Sequence, residues 1–200
     1  MKIVIFDFDG VIVDTYGFCY ELINAISPVT HEEYKKRFEG NINDAMKKVA
    51  PKGLSNGTFV EDYFLELTKC TPYAEVVDAI KILAKKYTLI VISSTVSPAI
   101  DTFLTTNNIR ECFQDILGND IEKSKIKKIH MVFEKYSVSP EDCVFVTDTL
   151  GDIKEAKHCG VRSIAVTWGY HTRETLEKEK PYAIIDDKKG IVQKVQESLT

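Results

Sequence analysis

The stretch Ile3-Val4-Ile5-Phe6-Asp7-Phe8-Asp9-Gly10-Val11 decides how this chain is read. A near-continuous apolar run such as Ile3 to Phe6 reads as a strand covered on both faces. Its end then opens at the carboxyl edge of a sheet, where open α/β folds bind ligands. Two carboxylates, Asp7 and Asp9, stand at that end with Gly10 behind them. Crowded acids repel one another and require a cation. With a metal they make a phosphoryl-transfer site; without one, one of them is pushed toward its protonated form.

Outward from this strand, residues 16–71 carry no strong strand pattern. Phe18, Leu22, Ile23 and Ile26 repeat at helical spacing, as do Phe59, Tyr63, Phe64 and Leu67. Ser27-Pro28, Pro51-Lys52-Gly53 and Ser55-Asn56-Gly57 punctuate the block, which predicts a small helical domain inserted after the first strand. From Pro72 the period changes. Helices are expected over 73–86, 98–106, 124–136 and 152–158, the last closed by Gly160, and strands over 89–92, 113–117, 143–146, 163–166 and 183–185. Such alternation predicts parallel strands joined by right-handed crossovers, an α/β doubly wound sheet. The expected organisation is a core of 1–15 and 72–200 with a helical cap of 16–71.

Composition narrows the class. Two hundred residues, 44% of them hydrophobic, suffice for one core domain with a modest insertion. A net charge of −4 gives no general basic field, so nucleic acid is not an expected partner. Five cysteines, an odd number with no close pair, argue against a disulfide framework or zinc site and for a reducing cytoplasm. The chain opens directly on Met1-Lys2-Ile3 without the pattern of a signal peptide, and no apolar run approaches the about 18 residues of a membrane helix. A soluble, cytoplasmic protein is expected.

Four of the expected strands end in polar residues: Asp7 and Asp9; Ser93 and Ser94; Asp148, with Asp152 four positions on; and Thr167-Trp168-Gly169. A single aspartate at a strand end means little, since Asp is a common turn and cap residue. In a parallel sheet, however, these ends share one edge and converge on one crevice.

Here the chain resembles the haloacid dehalogenase-like (HAD) hydrolase superfamily, in particular its phosphoglycolate phosphatase-like branch. Asp7-Phe8-Asp9-Gly10-Val11 looks like the first family motif, Ser93 like the second, and the segment Val144 to Asp152 like the fourth. The resemblance implies a Rossmannoid core and hydrolysis of a small phosphorylated metabolite. It implies Asp7 as the nucleophile that forms an aspartyl-phosphate and Asp9 as the general acid and base. Magnesium would be held by Asp7, Asp148, the backbone carbonyl of Asp9, and Asp152 directly or through water. Ser93 and the Ser94 amide would bind phosphate with a lysine, and both Lys123 and Lys125 are candidates. Ser124 makes a sensible N-cap that would put Lys125 in the first turn. Thr147 stands where glycine is more common in the family, and Thr15 where serine is.

A phosphosugar mutase on the same core and a phosphate-accepting receiver-like signalling module are the alternatives. The insertion would act as a cap that sets specificity, with Tyr16, Phe18, Arg37, Asn41 and Asn43 as candidates and Glu39-Gly40-Asn41 as a substrate-facing loop. Other prominent residues have plainer readings. Asp14 supports a turn, Cys143 and Cys159 fill small core sites, Phe59, Tyr63 and Phe64 pack a helix, and His171 and Arg173 lie on the surface.

Overall fold

The computed structural model describes residues 1–49 and 56–200, and the side chains of these outside 46–58. The Pro51-Lys52-Gly53 break and Ser55 lie outside the described residues. The strands β1 (Ile3–Phe6), β2 (Thr88–Ile92), β3 (Phe113–Leu117), β4 (Cys143–Thr147), β5 (Arg162–Val166) and β6 (Ala183–Ile185) form one sheet. Every neighbouring pair is parallel, and the order is β3-β2-β1-β4-β5-β6. β1 is therefore flanked on both sides, which explains why its four residues are all buried. The order reverses direction at β1, the switch point where such sheets leave a crevice at their carboxyl edge.

Helices α1 (Tyr16–Ile26), α2 (His31–Lys36), α3 (Ile42–Val49) and α4 (Asn56–Leu67) follow β1. The remaining helices are α5 (Ala74–Leu83), α6 (Ser97–Thr106), α7 (Lys125–Tyr136), α8 (Leu150–His158), α9 (Arg173–Glu177) and α10 (Ile191–Ser198). Alternation along the central strands feeds two cores. Val4, Phe6, Val91, Val144 and Val146 pack with α5, α6 and α10, while Ile3, Ile5, Ile90, Ile92 and Phe145 pack with α7 and α8. Helices thus cover both faces, as a doubly wound α/β fold requires. Each fully buried aliphatic or aromatic side chain contributes about 1.5–3 kcal/mol to holding these layers together.

The register makes the strands end level. Phe6 lies opposite both Val91 and Val146, so Asp7, Ser93 and Asp148 emerge at one edge. Two expectations need correction. His171 is buried, at 3% exposure, because both its ring nitrogens have backbone partners. Phe64 does not join the packing of α4: it is exposed, as Ile26 is in α1, and the stripe on α4 is carried by Tyr63 and Leu67. Arg173 is exposed as expected, paired with Asp186. Among the described residues no helix is long and apolar enough to cross a membrane.

Candidate active site

Asp7 leaves β1 with its backbone N–H donating to the Val146 carbonyl at 2.9 Å, which fixes it between β1 and β4. One carboxylate oxygen accepts the Phe8 N–H at 2.7 Å and the other accepts the Lys125 ammonium at 2.8 Å. Lys125 also donates to Asp152 at 2.7 Å, and all three side chains are buried. Of the two lysines left open by sequence, Lys125 therefore reaches the acids. Its position follows from Ser124, whose side chain accepts from the Lys127 N–H and starts α7 at Lys125. Lys123 stands exposed on the wall of the same cavity.

One ammonium serves two acids, and the acids respond differently. Asp152 is held below the usual carboxylate range: burial opposes this, but Lys125 and hydrogen bonds from Lys125 and the Thr147 hydroxyl overcome it. Asp7 lies well above its ordinary value because burial and the neighbouring acids outweigh Lys125. Asp148 is pushed up to about 8, chiefly by burial. Thr147, where the resembled family favours glycine, thus adds a donor to Asp152 at 2.7 Å.

Asp148 sits in a frame that admits nothing larger than glycine. Its Oδ2 accepts the Tyr170 N–H at 2.7 Å, while its buried Oδ1 has no partner. A Cβ on Gly10, which has φ +72°, would fall 2.1 Å from Oδ2, and one on Gly169 would fall 2.2 Å from it. Among the described residues no three acidic side chains converge on a ready metal position. The donor chemistry nevertheless fits a hard cation. Hard cations take oxygen ligands, Asp148 Oδ1 is an orphaned acceptor, and the buried carboxyls of Asp7 and Asp148 are both displaced toward protonation.

Asp9 faces the other way, into a ring of hydroxyls. Its Oδ1 accepts from Thr15 at 2.8 Å and Tyr63 at 2.6 Å, and its Oδ2 accepts from Thr95 at 2.7 Å, with Ser93 Oγ at 3.4 Å. Ser93 is fully buried and its Oγ accepts the Thr95 N–H at 3.0 Å; Ser94 lines the cavity. Sequence reasoning assigned no contact on Asp9 to Thr95 or Tyr63. The position of Thr95 directly after Ser93-Ser94 was a usable signal, whereas the reach of Tyr63 from α4 was not.

These groups floor a cavity of about 570 Å³, within the range of small-molecule sites. Its far wall comes from residues of the helical insertion, including Ile23, Tyr34, Phe38, Asn41, Asn43 and Tyr63. Of the five candidate specificity residues, Asn41 and Asn43 line it and Tyr16, Phe18 and Arg37 do not. Of the Glu39-Gly40-Asn41 loop, Gly40 and Asn41 line it and Glu39 does not. The insertion is tied to α8. Asn41 donates to Glu155 at 2.9 Å, Lys154 donates to the Glu39 carbonyl at 2.8 Å, and a Cβ on Gly151 would lie 2.4 Å from the Gly40 oxygen. His171 completes this link. Its Nδ1 accepts the Leu150 N–H, so Nε2 carries the proton and donates to the Lys35 carbonyl at 3.0 Å. Asp14 accepts the Tyr16 N–H at the start of α1, a turn role as expected.

A phosphoglycolate phosphatase of Synechococcus elongatus is 20% identical over 206 residues, covering 98% of this chain and 97% of its own. One from Pseudomonas aeruginosa is 24% identical over 213 residues, covering 96% and 78%. Among solved structures, a haloacid dehalogenase-like hydrolase from Streptococcus pneumoniae superposes with a TM-score of 0.78 at 18% identity, over 98% of this chain and 99% of that one. A hydrolase from Pseudomonas syringae does so at 0.82 and 13%, over 98% and 99%. The sequence model of haloacid dehalogenase-like hydrolases matches residues 4–166, and the chain, with its strand-end aspartates in that order, belongs to this family.

Proposed function

We propose that this protein is a magnesium-dependent phosphomonoesterase that hydrolyses a small phosphorylated metabolite through an aspartyl-phosphate on Asp7. The observation that carries the reading is the buried Asp7–Lys125–Asp152 triad beside Asp148, on the floor of a cavity that also exposes Asp9 and Ser94. The names of the relatives, phosphoglycolate phosphatases, support the phosphatase class and make phosphoglycolate the first substrate to test. A receiver-like module fits less well, because membership of a hydrolase family favours turnover over signalling.

Uncatalysed hydrolysis of phosphate monoesters is so slow that enzymes approach about 10²¹-fold acceleration. Asp7 attacks phosphorus, forming an aspartate–phosphorus bond as the ester oxygen departs, and Asp9 supplies the proton that this oxygen takes up. Water then displaces the phosphoryl group from Asp7, and Asp9 receives the water's proton. Lys125 steadies Asp7 and neutralises charge, while the Ser93 hydroxyl and the Ser94 N–H hold the phosphoryl oxygens. Magnesium, when bound by Asp7, Asp148, Asp152 and the Asp9 carbonyl, supplies the positive charge that lets an anionic nucleophile meet an anionic ester. The insertion of 16–71 acts as a cap on a core of 1–15 and 72–200, excluding water and contacting the leaving group.

The test is release of inorganic phosphate from an aryl phosphate, then from a metabolite panel including phosphoglycolate, with and without magnesium. Turnover that needs the metal is expected. A protein that binds magnesium yet releases phosphate from nothing in the panel would refute the reading, and transfer of phosphate to a second sugar hydroxyl rather than to water would mark a mutase.

A further inference from the structure

The mechanism above leaves one buried cation unused. Lys128 is 0% exposed, and its ammonium lies 2.5 Å from the backbone carbonyl of Ser93. Lysine is almost never fully buried unless paired, and an ammonium withdrawn from water without a purpose is a large burden on a fold. α7 places it one turn beyond Lys125, so both ammonium groups share a helix face, one directed to the acids and the other to the end of β2. Unlike Lys125, Lys128 does not line the cavity.

We propose, building on the phosphatase reading, that Lys128 is a positioning residue of the phosphate cradle: its ammonium pins and polarises the Ser93–Ser94 peptide so that the Ser94 N–H is presented to the substrate's phosphate. The peptide is trans and planar, so its carbonyl and N–H point in opposite directions. With the carbonyl drawn to Lys128, behind the cavity, the N–H is turned toward the cavity that Ser94 lines. Among the described residues the Ser94 N–H donates to no protein acceptor. Ser93 is held at two further points, its N–H on the Leu117 carbonyl at 3.2 Å and its Oγ under the Thr95 N–H, so the peptide has little freedom to rotate. A positive charge on the carbonyl also strengthens the N–H as a donor, because bonds in a chain polarise one another. The charge of Lys128 thus reaches the substrate through a peptide rather than by contact.

The surroundings are consistent with a charged but strained ammonium. Burial and Lys125 on the same helix pull Lys128 down to about 8; Asp7 of β1 and Asp152 and Glu155 of α8 oppose this, and Asp120 after β3 also faces it.

The test compares Lys128→Met and Lys128→Gln with wild type in kcat, KM, inhibition by inorganic phosphate and pH profile, with melting temperature as the control. Lys128→Met should weaken inorganic phosphate and lower kcat/KM for an aryl phosphate by roughly 10–100-fold, less than the 10²–10³ of deleting an oxyanion donor outright. Its melting temperature should not fall. Lys128→Gln keeps a donor on the carbonyl without the charge and should lie between. Activity should fall with rising pH more steeply in wild type than in either variant, since only wild type carries a titrating ammonium on the Ser93 carbonyl. Phosphate inhibition within twofold of wild type in both variants overturns the proposal, and Lys128→Gln alone decides it if Lys128→Met does not fold. Should wild type lack turnover, titration of inorganic phosphate by calorimetry with magnesium still tests Lys128: weaker binding in the variants supports it while the phosphatase reading falls. No binding to wild type overturns both.

Discussion

Replacing Lys125 by Met removes the cation shared by Asp7 and Asp152 while keeping the volume of the side chain. Both ion pairs are buried, with side chains 5–8% exposed, so solvent screens them little. Removing one partner of a buried pair costs about 3–5 kcal/mol because a charge is left uncompensated. Asp7 already lies well above its ordinary value and takes up a proton readily, so the loss should sit at the low end, about 3 kcal/mol at pH 8. For a chain of this size 1 kcal/mol moves the melting temperature by about 2–4 °C, giving a fall of about 6–12 °C. The sign with pH follows from proton binding. A carboxyl raised in the folded state holds its proton more tightly there than in the unfolded chain, so acid relieves the damage. At pH 5 the metal-free variant should lie much closer to wild type than at pH 8. Thermal unfolding followed by circular dichroism, with a chelator, at both pH values measures this. A fall below 2 °C at pH 8, or an equal fall at both, would sink the assignment of Lys125 as the shared counter-ion.

Three further outcomes follow from the same groups. Metal-free wild type should lose stability as pH rises from about 4 to about 8, because Asp148 and Asp7 are raised, and magnesium should restore it at pH 8; stability that is flat or rising over this window under a chelator contradicts it. Asp7→Asn should abolish phosphate release in a steady-state assay yet raise the metal-free melting temperature at pH 8, since a buried carboxylate is replaced by a neutral isostere; retained turnover excludes Asp7 as nucleophile. Tyr63→Phe deletes the 2.6 Å bond to Asp9 and should lower kcat/KM by roughly tenfold, matching the about 1.5 kcal/mol at the low end for hydrogen bonds to charged groups, which steady-state kinetics will read.

The core was readable from the chain because its strands carry their own punctuation. Apolar runs ended by Asp7, Ser93 and Asp148 mark both the sheet and the edge that carries the candidate site, and Ser124 marks where α7 starts. Other elements had signals that went unread. Thr30-x-x-Glu33 is a capping box that starts α2, and Ile191, Val195 and Leu199 mark the buried side of α10. What sequence spacing could not supply are contacts made across the fold. His171 is two residues beyond a glycine in a polar loop, and its burial comes with ring bonds to Leu150 of α8 and Lys35 of α2, far apart in sequence. Tyr63 looked like any aromatic on a helical stripe until α4 brought its hydroxyl to Asp9. Lys128, in a lysine-rich run, differs from Lys127 only in which side of α7 it occupies; Lys127 is exposed and Lys128 is not.

The close approach at Gly151 constrains how this enzyme can change its substrate. The backbone of residues 38–40 crosses α8 within the space a methyl group would need, one residue from Asp152. An insert grafted from a relative would have to reproduce that crossing, and any longer turn there would push directly on the helix that carries Asp152. Point changes at wall side chains that bond neither Asp9 nor α8, such as Phe59 or Val60, leave the crossing intact and can vary the wall. On the proposed cap reading, new specificities should therefore arise by altering the lining one side chain at a time, with the shape of the insertion conserved by the helix beneath it.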